Sequence, residues 1–443
     1  MIRFFLPESN DLVDPGYDFE QDTYSAESVA DRKDVYVHEI FSQPPYDGLL
    51  VSKSNISAQQ EQAIIDLGGM HAFLRLPREY PILGDCGAFQ FIGDSAPPYT
   101  NQQIFNYYNN LGFDYGITLD HVIVEFDHKY DQAGSLFPEL PSEDMRFRFQ
   151  ITIDNAKELL HLVQEHDATF QPIASVQGWS PKSYHDAIKQ LIDAGYTYLA
   201  IGGVAKASDE AIISVLDAIR ETVVEANVKL HVLGVARFSL LDIYQRTNVV
   251  SCDSAATLMQ AFKSTSSNYH SAHPPHYTCI RIPPTGQDSD LSPSPKVNKL
   301  LKPLDLAAKG AEKAWKKDQQ NDALEHTYLD CARKLSQKIT EFVALEKNAL
   351  EAARAYAGRQ NTLNATMAAL VEYEEQFEHN PKLQAQFQKM LEDRPWEACP
   401  CDICKKLGIE VVIMRGNNRN RRRGFHNTYV FYEEFKRRQG RTG

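Results

Sequence analysis

Two sets of residues in this 443-residue chain have the types and spacing to do chemistry. Near the C-terminus, Cys399, Cys401 and Cys404 put three thiols on one tight turn, and His426, 22 residues on, is the sole histidine after them. Three soft sulfurs and one nitrogen suit a tetrahedral Zn2+, and with no position left open such a site is structural rather than catalytic. The second set is spread over 169 residues: Asp85, Asp120, Gln177 and Asp253, joined by the Gly202-Gly203-Val204 turn, each close behind a short apolar run. Turn chemistry accounts for the glycines, but less well for three carboxylates and a glutamine in equivalent places.

The elements that must position this second set show a rhythm. Apolar runs recur at residues 48–52, 82–84, 121–124, 172–176, 198–201, 231–235 and 249–251. Amphipathic stretches lie between them: SAQQEQAIIDLG with Ser57 as N-cap and Gly68 as stop, then NAKELLHLVQEH, SPKSYHDAIKQLIDAG and SDEAIISVLDAIRETVVEA. Strands alternating with helices predict a parallel sheet, and about eight such units suit a TIM-like (β/α)8 barrel better than an open sheet. In a barrel the strand ends converge on the C-terminal face, where active sites sit.

The spacing predicts four segments. Residues 1–263 form the barrel with an acidic, proline-bearing lead-in. Residues 264–300, rich in Ser, Pro and His, form a loop over the barrel mouth; His270, His273 and His276 lack the neighbours a metal site needs. Residues 301–393 form a helical block, with a helix-period stripe at Leu335, Ile339, Phe342 and Leu345. Residues 394–443 hold the zinc signature and a basic tail. No apolar run approaches the ~20 residues that span a bilayer, and the start MIRFFLPESND lacks a secretory pattern. Seven cysteines, three in a metal pattern, fit a reducing compartment, so the expected location is the cytoplasm.

Net charge is −13, yet residues 405–443 carry 11 Lys+Arg against 3 Glu, a local +8 that leaves −21 on the remainder. A basic end on an acidic body is expected of a chain that touches phosphates with one end; a solvated tail is the alternative. The cluster Arg419, Arg421, Arg422 and Arg423 is the candidate nucleic-acid contact.

In order along the chain, Gly84-Asp85-Cys86-Gly87-Ala88-Phe89-Gln90, Val176-Gln177-Gly178, Ala200-Ile201-Gly202-Gly203-Val204, Leu233-Gly234-Val235, Cys252-Asp253-Ser254-Ala255-Ala256 and the Cys-x-Cys-x-x-Cys…His signature together resemble the tRNA-guanine transglycosylase superfamily. They look closest to its DNA-acting branch, the DpdA-type 7-deazaguanine transglycosylases. Cys86 and Ala88 stand where the family pattern has Ser and Gly, and the arginine-rich loop of bacterial tRNA enzymes is missing after Asp253. These departures favour DNA over tRNA, which stays the alternative substrate. A relative that only binds nucleic acid is a third reading, opposed by the retention of both Asp85 and Asp253.

The resemblance implies a chemistry akin to retaining glycoside transfer, in which one carboxylate attacks the anomeric carbon and a second group handles protons. Asp253 would be the nucleophile that forms a covalent sugar–enzyme intermediate, and Asp85 the general acid and then base. Phe89 would stack on the base, and Asp120 would accept from its N1–H and 2-amino edge. Gln177 and the Gly203 amide would meet O6, and Gly202, Gly203 and Val204 would leave room for the 7-substituent of preQ0. The resemblance further implies structural Zn2+, a homodimer, and a partner ATPase-type protein docking on the helical block.

Overall fold

The computed structural model describes residues 1–31, 33–131, 140–272, 274–287 and 289–440. By contacts the chain divides into two compact units: residues 1–10, 44–255 and 432–443 form the first, and 11–43 with 256–431 the second. The helix Gly416–Gln439 contributes residues to both.

The first unit is a closed parallel barrel whose described strands number eight: β1 (Arg3–Pro7), β2 (Gly48–Ser52), β3 (Ile82–Asp85), β4 (Tyr115–Ile117), β5 (Gln171–Val176), β6 (Tyr198–Ile201), β7 (Lys229–Val232) and β8 (Val249–Asp253). Each strand pairs with the next, and β1 closes the ring on β8 with Phe4 opposite Cys252 and Phe5 opposite Asp253. Inward side chains fill the interior: Phe5, Leu50, Leu83, Ile117, Ile173, Tyr198 and Ala200 form one buried cluster. It is a plug of side chains rather than a channel, as this architecture requires. Gly84 and Gly116 let the ring of Tyr108 lie against β3 and β4; a Cβ would come within 2.2 and 2.4 Å of that ring, respectively.

The expected helices form where the caps were legible. Ser57, Ser180 and Ser208 each accept a backbone N–H from their own first turn, starting helices at Ala58, Pro181 and Asp209. Two strands differ from expectation. The first is β1, which lies inside the supposed lead-in. The second is β4, which precedes the run His121–Val124. Its first three residues are buried and Val124 is exposed, but the run is no strand, because side chains take its amides: His121 N–H donates to Thr152 Oγ1 (3.1 Å) and Ile123 N–H to Gln177 Oε1 (3.2 Å).

The second unit gathers segments that looked separate in sequence. Long helices span Pro295–Trp315, Asp322–Ala357, Leu363–Glu374 and Pro381–Asp393. Phe342 is the buried member of the predicted stripe, while Leu335, Ile339 and Leu345 are half-buried. The stretch 264–300 is not all loop: β9 (Ile280–Arg281) pairs in parallel with β10 (Ile413–Met414). His270 and His276 stack at 4.3 Å; His273 lies outside the described residues. No helix among the described residues is long and apolar enough to cross a membrane.

Candidate active site and metal centre

The C-terminal ends of the strands carry the polar set. Asp85 ends β3, Asp253 ends β8, Gln177 and Gly202 directly follow β5 and β6, and Asp120 follows β4 by three residues. Asp120, Gln177 and Asp253 are buried, and Asp85 is half-buried.

Asp120 is the most heavily bonded. Its Oδ2 accepts from Ser175 Oγ (2.8 Å) and Gln177 Nε2 (2.6 Å), and its Oδ1 accepts from Cys86 Sγ (3.2 Å). Burial still raises its pKa against these donors. The Cys86 thiol is pushed well up by burial and the nearby carboxylates, so it stays a neutral donor. Gly202 has no side chain because Gln177 occupies that space: a Cβ would lie 2.3 Å from Gln177 Nε2. Gly203 takes the left-handed φ of +75°, and Val204 beyond it is buried.

Asp85 accepts from Ser52 Oγ (2.7 Å) and the Gly87 amide (3.0 Å). Burial is the largest influence on it, and Asp120 and Asp253 add like charge; together they raise its pKa to about 6. A carboxyl held there exchanges protons near neutrality, which suits a general acid and base. Asp253 Oδ1 accepts the Gly234 amide (2.8 Å) and faces His231 Nε2 (3.1 Å); no described residue donates to Oδ2. Phe89 lies on the turn after Asp85 and is 52% exposed, a large ring that the fold leaves uncovered.

Ser52, Ser175, His231 and Ser251 were missed in the sequence. The signal was period two: Ser175 and Gln177, like Ser251 and Asp253, alternate onto one face of their strands. His231 is a polar residue in the middle of a buried strand.

In the second unit, Cys399, Cys401, Cys404 and His426 gather so that their ligand atoms all lie within 4.8 Å of one another. The sulfurs stand 3.5, 3.4 and 3.3 Å from His426 Nδ1, close to the ~3.5 Å edge that tetrahedral zinc bond lengths give. His426 Nε2 donates to the His270 carbonyl (2.8 Å), so Nδ1 is the nitrogen turned to the sulfurs. The donor set therefore fits a metal such as zinc.

Three of the four arginines need a correction. Arg419, Arg422 and Arg423 are buried, and three- and four-residue spacing puts them on the helix face that also carries His426. Arg419 pairs with Asp22 and with Glu410 (2.7 Å). Arg422 donates to Asn418 and to the Asp14 carbonyl (2.6 Å). Arg423 donates to the carbonyls of Ala261 (2.6 Å), Val411 (3.3 Å) and Ile413 (3.4 Å). These guanidinium groups cannot reach a phosphate. Arg421 lies off that face; it pairs with Asp11 at 3.3 Å and keeps a third of its side chain exposed. Arg419→Ala removes one of the two arginines that hold each of Asp22 and Glu410, leaving Arg415 on the first and Arg354 on the second, and is expected to cost about 2–3 kcal/mol in urea unfolding.

A closed β/α barrel with carboxylates at the ends of β3 and β8 and a Cys3His knot in the other unit is the set of features expected of a base-exchanging transglycosylase. No protein-family model matches the chain. A curated protein of Salmonella montevideo, named DNA-guanine transglycosylase, is 32% identical over 447 residues, covering 98% of this chain and 97% of that protein. At this identity and coverage the chain belongs to the tRNA-guanine transglycosylase superfamily, in the branch of the DNA-guanine transglycosylases. It is a glycosyltransferase-type enzyme that exchanges guanine.

Proposed function

We propose that this enzyme exchanges guanine in DNA for the 7-deazaguanine base preQ0, through a covalent intermediate on Asp253. The observation that carries the reading is the pairing of two carboxylates in different surroundings. Asp253 is held through Oδ1 by the Gly234 amide and His231, with no described residue donating to Oδ2, and Asp85 is raised to about 6. Asp253 Oδ2 attacks C1′ from the face opposite the base, and guanine leaves with a proton from Asp85. The incoming base returns a proton to Asp85 and attacks C1′ from the original face, so two inversions keep the configuration.

Asp120 accepts from the N1–H and 2-amino edge, Gln177 and the Gly203 amide meet O6, and Phe89 stacks on the ring. The turn Gly202-Gly203-Val204 leaves space for the nitrile. Extruding the base from a duplex costs a few kcal/mol. Arg421 remains a candidate backbone contact, and helices 301–393 are the proposed dock for an ATPase-type partner. A homodimer and a cytoplasmic setting complete the reading. Zn2+, when bound by Cys399, Cys401, Cys404 and His426, closes the second unit's C-terminal fold and leaves no open position for catalysis.

Labelled preQ0 offered with plasmid DNA and, separately, bulk tRNA tests the substrate, with and without lysate of a host carrying the neighbouring genes. Label is expected in DNA alone; label in tRNA alone overturns the reading.

The raised Asp85 pKa also links to stability. The folded state holds this proton more tightly than the unfolded chain, whose ordinary value is 3.8. The contribution is therefore present below about pH 4 and lost as pH rises through about 6. Asp85→Asn is expected to abolish exchange yet melt higher than wild type at pH 8, with the advantage shrinking toward pH 4. Thermal melts across that range check it.

A further inference from the structure

Behind Asp253 a file of buried polar side chains runs down the barrel interior. His231 Nε2 lies 3.1 Å from Asp253 Oδ1, and His231 Nδ1 lies 2.7 Å from Ser251 Oγ. Ser251 Oγ lies in turn 2.5 Å from the Tyr198 hydroxyl. His231 and Ser251 are wholly buried and Tyr198 nearly so. Hydrophobic packing does not ask for any of these groups, and each loses its water on folding, so the bonds between them must compensate.

We propose that His231 is a positioning residue for Asp253, set in one tautomer by Ser251 and Tyr198. This rests on Asp253 being the nucleophile. As an attacking carboxylate Asp253 offers only acceptors, so His231 Nε2 carries the hydrogen it donates. In the neutral ring Nδ1 then accepts, so Ser251 O–H must donate to it. That hydroxyl's oxygen is left to accept the Tyr198 O–H. Every bond points the same way, toward Asp253, and the ring has a single arrangement that satisfies both of its partners.

The strand register builds this contact. Leu230 pairs with Val249, but His231 pairs with Ser251, so β8 carries one extra residue, Val250, at this step. Such a bulge re-aims side chains, and here it brings Ser251 level with His231. Val250 itself packs against the barrel's core cluster. With the Gly234 amide, His231 fixes Oδ1 and thereby directs Oδ2. A carboxylate that rotates freely about χ2 would spend much of its time misaligned for an in-line attack on C1′.

The test is a single-turnover assay of labelled guanine released from plasmid DNA in the presence of preQ0 and host lysate, run on the full chain. His231→Leu keeps the volume but removes the donor; His231→Gln places an amide N–H near the former Nε2. His231→Leu is expected to release guanine about 100-fold more slowly, with half-saturating concentrations of DNA and preQ0 within about threefold of wild type. His231→Gln is expected to recover at least about tenfold of that loss. Ser251→Ala, which frees the ring to take either tautomer, is expected to fall between them. Melting temperature and zinc content show that each variant is folded. Folded His231→Leu at near wild-type rate overturns the inference, as does folded His231→Gln no faster than His231→Leu. Asp253→Ala in the same assay separates the two readings: if it remains active the nucleophile assignment fails, and if it alone is inactive only the role of His231 fails.

Discussion

Asp253→Ala is expected to lower base exchange by at least about 10⁴-fold while DNA binding stays within a few-fold of wild type. The size follows from what is removed. In the proposed mechanism, no covalent intermediate forms without the carboxylate, and exchange must pass through an unassisted sugar cation or direct displacement. Wild type with DNA and no acceptor base is expected to yield a denaturant-stable protein–DNA adduct; the alanine variant yields none. Asp253→Asn should behave the same way, since an amide keeps the shape and the Gly234 contact but is no nucleophile. An adduct persisting in either variant would move the nucleophile elsewhere, and Asp85 would be the next candidate.

The second large effect concerns the Cys3His group. Metal analysis is expected to give one zinc per chain, and Cys404→Ser to lose it along with much of the second unit's stability. Structural zinc contributes about 10–16 kcal/mol of apparent binding energy in zinc-finger peptides. A fraction of that, at 2–4 °C per kcal/mol for domains of this size, predicts a fall in Tm of more than about 10 °C. The neighbourhood explains the sensitivity. Tyr269 stacks on the His426 ring at 4.2 Å and its hydroxyl lies 3.3 Å from Cys404 Sγ. Loss of the ion would leave three sulfurs and a histidine crowded without a partner. A chain that purifies with no metal and melts at the same temperature after chelation would refute this.

Much of the barrel was legible because its signals are local. Serine caps and apolar runs mark most strands and helices, and the cysteine spacing marks the knot. What was not legible depends on distance. The strand β1 is five residues in a proline-flanked, acidic stretch, and its closing partner lies nearly 250 residues away. The run His121–Val124 has the composition of a strand, but its amides are claimed by Thr152 and Gln177, which no local window contains. The carboxylates could be picked out as strand-end residues. Their supports, Ser52, Ser175, His231 and Ser251, sit within strands and read as ordinary polar substitutions until the barrel closes. The arginine cluster misled for a related reason: counted along the chain it is a basic patch, but wound into a helix it is an interior face.

That interior face bears on how the protein responds to salt. Arg415, Arg419, Arg422 and Arg423 are buried, the first two held in ion pairs with Asp22, Glu346 and Glu410. A cation neutralised within the fold holds no phosphate and releases no condensed counterion when a nucleic acid arrives. The slope of log affinity against log salt should accordingly be shallower, by about one unit per buried arginine, than a count of the C-terminal charges suggests. Nucleic-acid binding by this enzyme would then persist at ionic strengths that detach a protein relying on an exposed basic tail.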